Sequence, residues 1–189
     1  MITIRNYVPA DREQLEQICL ATAAEQLLKT DRDKEFLLLC YNRYYTRCCA
    51  DTVFVAEEDG RVIGYVLCDT DYEKFLADFS AHELKELKKI NFIKAAAFFF
   101  SVAAQKTYGK TYTAHLHIDI LPGYQRKGIG HRLLDALAEK LREEQIGGVF
   151  LTVGKENEKG IRFYKNYGFE ILKEFGTYIV FGLKISSKN

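Results

Sequence analysis

With 189 residues, 48% of them apolar and 28% charged, the chain has the size and make-up of one folded domain, which excludes a disordered, collagen-like or fibrous protein. Its 27 Lys and Arg side chains against 26 Asp and Glu leave a formal charge of +1, so no overall field draws it to nucleic acid or an anionic membrane. Any anion it binds must be held by local geometry.

Residues 2–7 alternate apolar and polar side chains as a half-buried strand does, and Pro9 and Asp11 break the pattern. Leu15, Ile18, Cys19 and Thr22 follow at helical spacing, and a second helix is expected over 31–47. Two strands, 52–57 and 61–69, flank Glu58-Asp59-Gly60, where Asp-Gly signals a hairpin. Residues 72–110 turn helical and include an apolar run, 92–104, interrupted only by Lys94 and Ser101. At 13 residues this run is shorter than the ~20 a membrane crossing needs, so it predicts a buried or substrate-covering helix within an insertion, and its aromatic length suggests a homodimer contact.

Strand 111–121, the turn Pro122-Gly123 and an amphipathic helix over 129–145, striped by Ile129, Leu133, Leu134, Leu137 and Leu141, come next. Gly147-Gly148 is expected to end that helix. A short strand at 149–153, a helix over 157–167 stopped by Gly168, and strands 169–173 and 178–185 close the chain. Hairpins and strand-helix-strand crossovers together predict one α/β domain over 1–189, a mixed sheet flanked by helices. The five cysteines form no C-x-x-C pair and have no His at finger spacing, so neither disulfides nor a metal site are expected. The start, Met1-Ile2-Thr3-Ile4-Arg5, lacks the pattern of a secretory signal, which predicts a cytoplasmic protein.

The most informative segment is Gln125-Arg126-Lys127-Gly128-Ile129-Gly130, between a strand and the first turn of the striped helix. The first amides of a helix lack intrahelical partners, and with the helix dipole they form an anion site that glycines let a phosphate approach. Arg126, Lys127 and Arg132 add local cations suited to a small anionic cofactor. A Walker loop would need Gly-Lys-Ser or Gly-Lys-Thr, absent here, and a dinucleotide fingerprint would need a small residue where Leu133 stands.

Together with a second segment, Asn157 followed by Gly160, Tyr164, Gly168 and Phe169, this loop resembles the GNAT acetyltransferase superfamily, and the likeness in element order spans nearly the whole chain. The loop is similar to that family's Gln/Arg-x-x-Gly-x-Gly pyrophosphate motif, and the later helix to its Asn-x(6)-Tyr element. The resemblance implies a mostly antiparallel sheet of the acyl-CoA N-acyltransferase type, with acetyl-CoA as co-substrate. It implies that Gln125, Arg126, Lys127, Gly128, Ile129 and Gly130 hold the pyrophosphate, that Ile118, Asp119 and Ile120 pair with the pantetheine arm, and that Asn157 steadies it. Tyr164 would then stand near the sulfur as the acid. Gly160 departs from the family's usual Ala, and His117 and Asp119 from its usual apolar strand.

Direct transfer to a primary amine needs that amine neutral. His115, His117 and Asp119 share one face of strand 111–121, with Asp119 preferred as base because it lies nearest the strand end where the resemblance places the coenzyme's arm, and deprotonation through water is the alternative. The acceptor, a small molecule or peptide, would meet the first two helices and the insertion, which carry Tyr41, Tyr44, Tyr45 and Phe98 to Phe100. The stretch Ala114-His115-Leu116-His117-Ile118-Asp119-Ile120-Leu121-Pro122 is also similar to acetyltransferase-like domains associated with O-GlcNAcase. That likeness implies a second reading, a coenzyme-binding or protein-interaction module without turnover.

Overall fold

Strand β1 (Ile2–Asn6) leads through one tight turn at Pro9–Asp11 into helix α1 (Arg12–Thr22) in the structure of the protein, a computed structural model that describes residues 1–186. Leu15, Ile18 and Cys19 are the buried stripe of α1, as their spacing predicts. Residues 31–47 form two helices rather than one: α2 (Asp31–Tyr41), capped by Thr30 through the Asp33 N–H, and α3 (Arg43–Cys48). Asn42 breaks them with φ −132°, ψ −59° because its buried side chain donates to the Leu15 carbonyl of α1, a tertiary bond that local periodicity cannot reveal. Strands β2 (Phe54–Glu58) and β3 (Arg61–Asp69) then form the expected hairpin. Asp59 (φ 51°) and Gly60 (φ 80°) both take the left-handed conformation that a two-residue turn of matching twist requires.

The region after β3 is helical throughout, in four pieces: α4 (Tyr72–Ala81), α5 (Glu83–Ile90), α6 (Phe92–Ala103) and the single turn α7 (Lys106–Gly109). Side-chain caps set two of the starts, with Asp71 accepting the Glu73 and Lys74 amides and Asn91 the Lys94 amide. Helix α6 turns Ala95 and Val102 inward and leaves Phe92, Ile93 and Phe100 exposed. Among the described residues no helix is long and apolar enough to cross a membrane.

Strand β4 (Ala114–Ile120), helix α8 (Ile129–Glu143), strand β5 (Gly148–Gly154), helix α9 (Glu158–Tyr167) and strands β6 (Glu170–Glu174) and β7 (Tyr178–Lys184) complete the chain. Helix α8 is closed by Gln145 at φ 58°, with the Ile146 N–H returning to Leu141, and not by the two glycines that follow. Gly148 is instead the first residue of β5, where a Cβ would come within 2.7 Å of the Tyr112 ring.

Among the described residues the sheet has seven strands in the order β1-β2-β3-β4-β5-β7-β6, antiparallel everywhere except between β4 and β5. Two cores sandwich this sheet. On one face α8 buries Leu133, Leu134, Leu137 and Leu141, each burial contributing roughly 1.5–3 kcal/mol. The other face carries α1 to α6 over an aromatic core that includes Tyr44, Tyr45, Tyr65, Tyr72 and Phe75. The parallel pair is the weak seam. Only Ala114↔Val149 and His115↔Phe150 are in register, after which β4 and β5 part.

Candidate active site

The splay of β4 from β5 leaves backbone groups without a neighbouring strand. Leu121 N–H bonds Ile63 O on the β3 side, so by strand alternation the odd residues of β4 turn their peptide groups to β3. Leu116, Ile118 and Ile120 therefore turn theirs into the opening, while the Asp119 backbone faces β3. The Ile120 carbonyl already accepts the Gln125 amide at 3.1 Å, which ties the following loop to the strand end.

That loop delivers the start of α8. Arg126 (φ 63°) and Gly128 (φ 75°) are both left-handed, and Gly128 is the N-cap. The first intrahelical bond runs from Arg132 N–H to Gly128 O, which leaves the earlier amides without intrahelical partners at a helix end whose N-cap, Gly128, is exposed and whose next two residues are buried. The two glycines have different reasons. A Cβ on Gly128 would meet nothing within 4 Å, whereas one on Gly130 would sit 2.8 Å from the Phe163 ring of α9. Gly128 thus leaves room outside the helix end and Gly130 lets α8 and α9 pack closely. Lys127 lies over the Tyr124 ring at 4.9 Å. Arg132 does not point at the loop, because its guanidinium donates to the Ile2 carbonyl of β1.

Two cavities flank the splay, about 270 Å³ and about 440 Å³, and share Tyr41, Leu116, His117 and the outer half of β5. The smaller one is lined by Asp119, Asn157 and Tyr164, three of the residues singled out in the sequence. Asn157 caps α9 by accepting the Gly160 N–H at 2.9 Å, so its amide nitrogen is the end left to donate. This also accounts for Gly160, since a Cβ there would lie 2.8 Å from Asn157 Nδ2.

Asp119 accepts a hydrogen bond from the Tyr65 hydroxyl at 2.6 Å, across the register pair Tyr65↔Asp119. Burial pushes its carboxyl pKa up, against the opposing pull of that bond. Burial, and then the Asp119 charge, also push the Tyr164 phenol up, so it keeps its proton at neutral pH. A carboxylate that holds a proton more readily than usual thus shares one cavity with a phenol that gives one up reluctantly.

The larger cavity lies under α6. His115, 6% exposed, makes a 2.6 Å bond between its Nε2 and the Tyr45 hydroxyl. His117 stands where the two cavities join, edge-on to Tyr41 and Tyr45 at 5.4 and 5.3 Å between ring centres. Burial lowers the pKa of both, that of His117 to about 4, so both are neutral at pH 7. The three polar residues of β4 were legible as one face. Their partners, Tyr65 and Tyr45, were not, because nothing local in the sequence shows which strands and helices lie opposite β4.

The lowered His117 pKa fixes a sign for stability against pH. An unfolded His117 takes a proton near its ordinary 6.5 and the folded one only near 4, so stability present above 6.5 is lost as pH falls through that window. The loss is at most about 1.4 kcal/mol per pH unit. Urea unfolding between pH 6.5 and 4 is expected to show this slope, and His117→Asn is expected to reduce it by about one proton. An unchanged slope would mean that the folded imidazole titrates normally.

Residues 21–169 match the acetyltransferase (GNAT) family. An uncharacterized N-acetyltransferase of Archaeoglobus fulgidus is 28% identical over 114 residues, 60% of this chain and 56% of that protein. Another, MJ1207 of Methanocaldococcus jannaschii, is 25% identical over 130 residues, 69% of this chain and 44% of its own. The chain therefore spans about half the length of these two relatives. Among solved structures, SsHAT superimposes with a TM-score of 0.87 at 25% identity, covering 98% of this chain and 99% of its own.

Proposed function

Because the chain belongs to the GNAT acetyltransferase family, we propose that it is an N-acetyltransferase that moves the acetyl group of acetyl-CoA directly to a primary amine. The observation that carries this reading is the junction of the two cavities at the β4–β5 splay, with an exposed helix end beside it and an aromatic chamber on its far side.

Acetyl-CoA supplies a thioester whose carbonyl carbon the amine attacks. The amides at Gly128, Ile129 and Gly130, with Gln125, Arg126 and Lys127 around them, hold the diphosphate through close backbone approach and local charge. Ile118 and Ile120 line the opening along which the pantetheine arm runs as an added strand, Asp119 contributing its side chain rather than its backbone, and the Asn157 amide group donates to the arm. Asp119 takes a proton from the incoming ammonium, which frees the nitrogen lone pair. As the C–N bond forms and the C–S bond breaks, Tyr164 gives its proton to the departing thiolate and regains one from the amine through the shared cavity. Net, two protons leave the nitrogen: one reaches the sulfur and the other, taken up by Asp119, is released to solvent.

Calorimetric titration with acetyl-CoA followed by thiol-release assays over a panel of amines tests this. One-to-one binding and acceptor-dependent thiol release are expected. Absent binding contradicts the proposal, while tight binding with no release from any acceptor would make the chain the coenzyme-binding module instead.

A further inference from the structure

The larger cavity has a distinctive chemistry: none of the described residues lining it is an aspartate, glutamate, lysine or arginine. Rings make up about half of its lining, and burial keeps His115 and His117 deprotonated and Tyr41, Tyr45 and Tyr72 protonated at neutral pH. The polar groups near its rim are occupied or neutral, Ser101 donating to Phe98 O and Gln105 to Ser101 O.

Resting on the acetyltransferase reading above, we infer that the acceptor is a small monoamine with an aromatic body, its ring against Tyr41, Phe98 and Tyr178 and its amino group toward His117 at the cavity junction. Three observations converge on this. A second ammonium, as in a polyamine, would be stripped of water with no carboxylate to meet it, an unfavourable burial. A peptide or protein lysine would bring a thin alkyl stem, leaving much of about 440 Å³ unfilled and forfeiting dispersion contacts with the lining, Phe98 and Val102 of α6 included. A planar ring meets edge and face partners already arranged at near-right angles, Tyr41 with Phe98 at 5.5 Å and Tyr41 with His117 at 5.4 Å. The single ammonium at the junction is tolerated by the aromatic rings there until its proton is removed.

The test uses the full chain loaded with coenzyme A and three probes: 2-phenylethylamine, spermidine and a lysine-containing peptide. Phenylethylamine is expected to bind at least about tenfold tighter than either of the others, and with acetyl-CoA to release thiol with a kcat/KM at least about 100-fold higher. Gln105→Glu places a carboxylate of the same shape at the rim, and is expected to shift the spermidine-to-phenylethylamine ratio by about tenfold toward spermidine with coenzyme affinity unchanged. Spermidine or the peptide binding as tightly as phenylethylamine, or a ratio indifferent to Gln105→Glu, would overturn the inference and leave the acetyltransferase reading standing. Coenzyme A failing to bind, measured before any amine is added, would remove both.

Discussion

Gly128→Asp is expected to weaken acetyl-CoA binding by at least about 100-fold while lowering the melting temperature by only a few degrees. Gly128 has φ 75° at the N-cap of α8 and nothing within 4 Å of where a Cβ would lie, so the new side chain displaces no packing. The left-handed backbone costs an L-residue about 1–2 kcal/mol, and Asp is among the residues that tolerate it best. Its carboxylate would occupy the amides meant for the diphosphate and repel a second anion there, removing charge-assisted hydrogen bonds of about 1.5–3 kcal/mol each. Gly128→Ala, with similar strain and no charge, is expected to lose less than about tenfold. Gly130 cannot serve the same test, because a side chain there would strike the Phe163 ring and force α8 from α9. Calorimetry and thermal unfolding on the two Gly128 variants check this, and equal losses from Asp and Ala would point to loop shape rather than phosphate.

The proton-handling pair gives the second large effect. Tyr164→Phe removes only the hydroxyl, and is expected to lower kcat by about 10²–10³ with acetyl-CoA affinity within twofold of the parent. Asp119→Asn is expected to slow the reaction at neutral pH and to recover as pH rises and more of the amine is free base. Its stability moves the other way. The Asp119 carboxyl has a folded pKa above its unfolded one, so its contribution is present below the ordinary carboxylate range and lost as pH rises through the folded value. At pH 7 the ionised carboxylate in that cavity is a net destabilisation, so Asp119→Asn is expected to melt higher than the parent. A variant that is both slower and less stable would make Asp119 a packing residue held by Tyr65.

The hairpin at Asp59-Gly60 and the striped helix were readable because each is decided by neighbours in sequence, a pair of left-handed positions in one and a 3.6-residue leucine period in the other. Asn42, Gly148 and Gln145 were not. Their conformations answer to Leu15, to the Tyr112 ring and to the helix end, contacts that depend on the finished fold. The site divides in the same way. The Gln125 to Gly130 loop, Asn157 and Tyr164 carry fixed spacing on single elements, and alternation along β4 put His115, His117 and Asp119 on one face. The splay that opens beside them follows from β4 and β5 pairing at only two positions, and the charge-free chamber is assembled from α2, α3, α4, α6, β4, β5 and β7, a convergence no local pattern encodes.

A crystal structure with bound acetyl-CoA tests the central claim most directly. The diphosphate is expected against the amides of Gly128 to Gly130, the pantetheine arm between β4 and β5, and the thioester sulfur within hydrogen-bonding reach of the Tyr164 hydroxyl. A coenzyme seated on the β1 or β6 edge of the sheet, with the β4–β5 opening filled by side chains, would contradict it.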